Sequence, residues 1–545
     1  MAGAAAMTAP KPRTGAPETG TPKTGERDGD LRRPLMRGAG VAVLGRMGAL
    51  VEAASLPLFV WAYGATAYGL FAAGWALVKV ASALSERGMA IALQRYAAGA
   101  EPAAARAAVG LALRTSLATA TALAALLSLT AVWWAPVLAG PGAAAGAGAA
   151  GMSGSVSAGV SEVWALGLYV WVLPLWTLLE VATAAVRATA RFGAEVRVRI
   201  AYEQGLRLVF GLGLAGAGLG AAGLFLAHGA SLLIAGLLAL RLVRRSYGAP
   251  VAALWACDRA TAPAGLDRFA RAMIAVPVMR RLMSEAPVML LSALAGPAAA
   301  AVYAVARKVA SVMQVLRAAV DYAMAPLLAG SARRDASGAG ARDLADFARR
   351  VVVIVGPPLA AGLLVVRGDV LRLFEPHFAA AALPIAVLVA GRLVEALCTP
   401  ATVVVEMTRG HWLSTLNTAA GLALLLAGTP ALMILAPGLG ATLAAAMAAA
   451  AGLALAGGLA AVQAGLAAPG AGDRPQPGTA GTAGILRALA GGVVAAAVVA
   501  AVSGPTADLA PFAGLGAAIP ALVLAVWLGL RLGLTADDRR ALRRR

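Results

Sequence analysis

Apolar runs of about twenty residues or more recur along almost the whole chain, separated by short polar segments. That length is what a helix needs to cross a hydrocarbon layer of about 30 Å at 1.5 Å per residue. A chain of 545 residues that is 60% hydrophobic and only 13% charged, with a mean hydropathy of +0.79, cannot give several soluble domains each its own polar surface. The runs predict an all-α polytopic membrane protein of about 14 transmembrane helices. They fall at roughly 38–62, 67–93, 108–138, 162–187, 196–217, 219–242, 272–295, 298–325, 350–366, 376–400, 411–430, 438–464, 484–504 and 511–531. The fifth and seventh, 196–217 and 272–295, give the weakest signals, and hold four and three charged residues.

The formal net charge of +20 is placed in blocks between the runs. Lys and Arg crowd into the N-terminal tail, 94–107, 187–199, 241–271, 331–350, 465–487 and the C-terminal tail. The alternate connections hold only Arg367 and Arg372. This is the bias that marks cytoplasmic loops, so both termini are expected in the cytosol. It argues against a nucleic-acid partner. Two cysteines and three histidines, none of them clustered, give no metal site, disulfide framework or cofactor site. Arg32-Arg33 before the first run reads as a basic flank of that helix, not an export signal.

The expected organisation is a disordered cytoplasmic tail (1–34), a six-helix lobe (35–245), a cytoplasmic inter-lobe loop (246–271) and a second six-helix lobe (272–466). A linker (467–483), an extra two-helix hairpin (484–532) and a basic tail (533–545) follow. Charge at bilayer depth is costly and usually faces a cavity or a partner. Here it lies in the first, second, fourth and fifth spans and again in the seventh, eighth and tenth. The two halves thus carry matching polar faces, as internal repeats around a substrate path do.

Arg46, Lys79, Arg307 and Lys308 have no acidic residue one turn away on their own helix, and are the candidates for a cationic lumen that receives an anionic group. Glu52, Glu180, Glu285 and Glu395 are candidate coupling or lumen carboxylates, with salt bridging to the lumen cations as the alternative. Arg281 and Arg392 are secondary lumen residues. Glu203–Arg207, Arg281–Glu285, Arg317–Asp321 and Arg392–Glu395 stand three or four apart, so each pair can neutralise itself on one helix face. Trp171 and Trp176 lie deep enough to stack on a sugar ring or to serve as packing. No residue set points to catalysis.

The stretch RGAGVAVLGRMGAL…YGATAYGLFAAGWALVKVASALSERGMAIALQRYAA resembles the start of Wzx-type oligosaccharide flippases, of the multidrug/oligosaccharidyl-lipid/polysaccharide exporter superfamily. The likeness is carried by Gly45-Arg46, Gly64, Tyr68-Gly69-Leu70-Phe71, Gly88 and Gln94-Arg95-Tyr96. Gly296, Pro297 and Tyr303 in LLSALAGPAAAAVYAVARK continue it. So do LRLFEPHFAAAALPIAVLVAGRLVEAL, VVVEMTRGHWLSTLN and APGLGATLAAAMA, over roughly 35–465.

The resemblance implies two lobes working by alternating access in a bacterial inner membrane. It implies an undecaprenyl-pyrophosphate-linked oligosaccharide carried from the cytoplasmic to the outer leaflet for surface polysaccharide synthesis. The implied partners are the lipid-linked oligosaccharide and the bilayer, a polysaccharide polymerase and chain-length regulator, and a coupling proton or sodium ion. Lipid II flippases are also similar, but carry a second arginine where this chain has Glu52; two helices beyond twelve, by contrast, are typical of them. A cation-coupled drug exporter is a further alternative. A membrane glycosyltransferase or polymerase would need a larger polar outer loop than 367–377 provides.

Overall fold

The computed structural model describes residues 48–141, 164–189, 197–321, 324, 339–408, 410–466, 479–507, 512–535 and 538. Arg46, the expected tail 1–34, most of the linker 467–483 and most of the basic tail lie outside these residues. Glu52 lies in the first helix, outside the residues whose side chains are described. Among the described residues the regular elements are all helices.

Helices α1 (48–63) and α2 (65–85) run on within Gly48–Ser85 and are divided at Gly64, whose φ of 79° and ψ of 161° no helix accommodates. Next come α3 (Pro102–Leu129), α4 (Trp164–Ala188), α5 (197–216), α6 (Gly220–Tyr247), α7 (Ala275–Ala295) and α8 (Pro297–Asp321). The chain continues through α9 (Ala339–Leu371), α10 (Ala382–Thr408), α11 (His411–Leu435), α12 (Ala441–Leu466), α13 (Thr479–Ala507) and α14 (Ala513–Gly533). Each corresponds to one expected span. Eleven helices among the described residues are long and apolar enough to cross a membrane. That count joins α1 to α2 and omits α5 and α7, whose charges lower their hydropathy.

Several boundaries differ from expectation for local reasons. The third span breaks at Thr130, whose hydroxyl donates back to the Leu126 carbonyl at 2.7 Å, and resumes over Ala131–Ala139. In α4 a turn at 170–171 precedes Pro174, which has no N–H to give the carbonyl four residues back. α9 starts at Ala339, well before 350, because Phe347 and Ala348 are buried and extend its apolar stripe. The inter-lobe loop contains two short helices, Val251–Ala256 and Leu266–Ala272. The first is tied to α3 by Arg114, which donates to the carbonyls of Trp255 and, at 2.8 Å, Cys257.

Helices α1–α6 pack on one another around α4, and α7–α12 around α10 and α12. The seam between these lobes is α2, which lies against both α7 and α8. The α13–α14 hairpin packs on α9 and is fastened at both ends. Asp369, 2% exposed, accepts from the backbone N–H groups of Phe512 (3.3 Å) and Leu515 (3.0 Å), and so serves as the anionic cap of α14. Arg350 donates two hydrogen bonds to Asp538, at 3.1 and 3.0 Å. Asp538 and Thr535 also exchange the reciprocal bonds of a capping box.

The side chains of this clasp are 9% and 0% exposed, so removing one partner strands a buried charge. Asp538→Ala is expected to loosen the C-terminal segment by about 3–5 kcal/mol, read as faster hydrogen exchange over 479–535 with the lobes unchanged. Burial alone would raise the Asp538 carboxyl. The hydrogen bonds from Thr535 and Arg350 outweigh it and hold the group below its ordinary 3.8. A depressed acid contributes its full stability above its unfolded pKa. The clasp therefore holds above about pH 4 and weakens as pH falls further.

Candidate functional site

One turn of α2 sets Trp75 and Lys79 on the same helix face. The Lys79 ammonium lies 5.5 Å from the centroid of the Trp75 ring. Opposite, α7 presents Glu285, 4% exposed, and α8 presents Arg307. Lys79 Nζ is 2.6 Å from one Glu285 oxygen and an Arg307 guanidinium nitrogen is 2.7 Å from the other. Arg307 also donates to the Ser284 carbonyl at 2.8 Å. A single carboxylate thus joins a cation of the first lobe to a cation of the second. Lys308, half-buried, is the next residue on α8 and points about 100° round the helix from Arg307.

Four residues back on α7, Arg281 makes a second crossing between lobes. It lies 3.5 Å from Glu180 of α4. Glu180 is also gripped by the fork of Arg199, at 3.0 and 2.6 Å. Arg199 is delivered by a π-helical turn over Arg197–Gln204 and covers the Trp176 ring at 5.3 Å. Trp176 meets Trp75 edge to face at 4.8 Å, so two indoles separate the two ionic clusters. The Trp176 N–H is buried with no hydrogen-bond partner among the described residues.

Further polar groups sit inside each lobe. In the first, Tyr169 and His228 share a 2.7 Å hydrogen bond, His228 lies 3.8 Å from Glu203, and Glu203 pairs with Arg207 at 3.3 Å. In the second, Glu395 is held by Arg392 at 2.6 Å and by Arg317, which also reaches Asp321. Arg280 pairs with Glu406, which accepts from Ser414.

Some sequence expectations change here. Lys79 and Arg307 lack a same-helix partner but are not without one, because Glu285 comes from elsewhere in the fold. Arg281 and Glu285 do not neutralise each other; each turns to the opposite lobe. The expected pairs Glu203–Arg207, Arg317–Asp321 and Arg392–Glu395 are present. Trp171 is exposed, whereas Trp176 is buried between charges. His228, expected to stand apart from any cluster, sits among Tyr169, Glu203 and Trp75. A lone imidazole within an apolar span was its one signal. Arg199 carried none, since 19 residues separate it from Glu180 with no helical relation.

No family model matches the chain, and no curated protein matches it in sequence. Among solved structures, the lipid II flippase MurJ in an inward closed conformation is similar at a TM-score of 0.61 and 10% identity, over 90% of this chain and 97% of that one. An inward-facing multidrug resistance MATE family transporter of the MOP superfamily gives 0.56 and 12% identity, over 80% of this chain and 94% of that one. The MATE transporter VcmN of Vibrio cholerae gives 0.53 and 13% identity, over 80% and 97%. The chain therefore has the fold of these membrane transporters.

Proposed function

We propose that this chain is a flippase for an undecaprenyl-pyrophosphate-linked oligosaccharide. It would carry the sugar from the cytoplasmic to the outer leaflet of a bacterial inner membrane, with both termini in the cytosol, by alternating access between its two lobes. The observation that carries the reading is the inter-lobe carboxylate bridge: Lys79 and Arg307, donated by different lobes, converge on one buried point through Glu285. Such a point suits the charged non-bridging oxygens of a pyrophosphate, which can accept from both cations at once. Lys308 and Arg46 would add to the positive field on the route, and Arg281, Arg392, Glu180 and Glu395 would line it. Glu52 is assigned to coupling by proton or sodium. A polysaccharide polymerase and a chain-length regulator would receive the product.

A second reading, a lipid II flippase, is favoured by one observation: the likeness to MurJ covers 90% of the chain, where the MATE likenesses cover 80%. The two readings separate in proteoliposomes of the purified chain. Fluorescent undecaprenyl-pyrophosphate carrying a sugar repeat is expected to change leaflet, lipid II to do so more slowly, and a cationic dye not to be exported. Faster movement of lipid II reverses the first two readings. Dye export without lipid movement overturns both.

A further inference from the structure

Resting on the flippase reading above, we infer that Glu285 is a placeholder for the substrate's phosphate, and that Arg281 takes Glu285 over when the phosphate displaces it. In the present arrangement each Glu285 oxygen holds one cation, Lys79 from α2 and Arg307 from α8. A pair of phosphate oxygens offers the same two acceptors with more charge, and Arg in particular favours it. Entry of the anion therefore competes directly with Glu285, and success unties α2 from α7.

The displaced carboxylate has somewhere to go. Arg281 stands four residues before it on the same face of α7, and now reaches across to Glu180. Glu180 keeps the two-bonded grip of Arg199 in its own lobe, so it can release Arg281 and remain compensated. When the lobes part, Arg281 and Glu285 lose their cross-lobe partners together and are left one turn apart. They then pair along the helix. Before entry the ion pairs are Lys79–Glu285–Arg307 and Arg199–Glu180–Arg281. After it they are Arg199–Glu180 and Arg281–Glu285, with Lys79 and Arg307 on the anion. Each of these six groups keeps an oppositely charged partner in both states, so the exchange avoids the large penalty of leaving one of them uncompensated. The i to i+4 spacing of 281 and 285 and the two cross-lobe bridges are each used, in different states.

The test uses inorganic pyrophosphate as probe on the full-length chain in nanodiscs, with Cys257 and Cys398 replaced by Ser and spin labels at the exposed positions 94 and 412. Glu285→Gln removes the competitor and is expected to tighten pyrophosphate binding about tenfold. It also gives, without ligand, the inter-lobe distance that the unsubstituted chain reaches only with pyrophosphate. Arg281→Gln removes the receiving cation and is expected to weaken binding by a similar factor. The double variant should bind like Glu285→Gln alone, since nothing then remains to be received. If Glu285→Gln does not fold, Glu285→Asp, too short to span both cations, shifts binding in the same direction. If pyrophosphate binds through Arg307 but no tighter after the Glu285 change, or if the double variant binds like Arg281→Gln, the exchange is overturned and the flippase reading stands. If no form binds pyrophosphate, the flippase reading fails and takes the exchange with it.

Discussion

Arg307→Ala is expected to slow movement of the proposed lipid-linked sugar substrate by about a hundredfold or more while the protein stays in the membrane. Arg307 answers a carboxylate that is 4% exposed. Breaking such a buried pair costs about 3–5 kcal/mol, and every 1.4 kcal/mol is a factor of ten. Part of that cost falls on the fold and part on the site. The triple variant Lys79→Ala/Arg307→Ala/Glu285→Ala separates them, because it removes the carboxylate together with both cations that hold it and strands none of the three. Its thermal stability is expected to return toward that of the unsubstituted chain, and its transport is not. Arg307→Lys keeps the charge but loses the two-pronged geometry, so an intermediate rate is expected. Normal transport by Arg307→Ala in proteoliposomes would remove the residue from the substrate path.

The second large effect is expected from the smallest possible change, Gly69→Ala. Alanine is the better helix former by about 1 kcal/mol, so local propensity alone would favour it. The tertiary contact opposes it. A Cβ at position 69 would stand 1.8 Å from the Pro297 carbonyl oxygen and 2.5 Å from its carbon. These are backbone atoms at the α7–α8 turn and cannot rotate away. Ordinary contact is about 3.5 Å, so α2 and α8 must separate by about 2 Å at this end of the seam. The lobes then cannot close there, and the alternating access proposed above would lose one of its end states. Spin labels at the exposed positions 61 and 294 should report the widening, with transport falling in parallel. An unchanged distance with full transport would show that this contact does not hold the lobes. Gly69 and Pro297 belong to separate fragments of the motif read in the sequence, and the fold sets one against the other.

Much of the architecture was legible before any coordinate. The length of each apolar run is a local property, set by the rise of a helix against the thickness of a bilayer, so fourteen spans could be read one by one. The i to i+4 pairs Glu203–Arg207 and Arg317–Asp321 were legible for the same reason, since both partners lie on one turn of one helix. Charge lowers the hydropathy of α5 and α7, and these are the same two spans whose charges build the cross-lobe clusters. The weakness of their membrane signal was itself a sign of the site.

Partnership between helices was not legible. Lys79 and Glu285, Arg350 and Asp538, and Asp369 and Leu515 are each joined by packing between segments far apart in the chain, and no periodicity links them. The sequence by itself determined that the chain spans a membrane many times, which residues are charged at depth, and which pairs share a helix face. The tertiary structure alone decided that Arg281 and Glu285 turn away from each other and toward the opposite lobe. The physical reason is that a buried charge takes the partner with the better geometry, and only the packing of α2 against α7, with the Arg281 side chain reaching over to Glu180 of α4, brings those partners within reach.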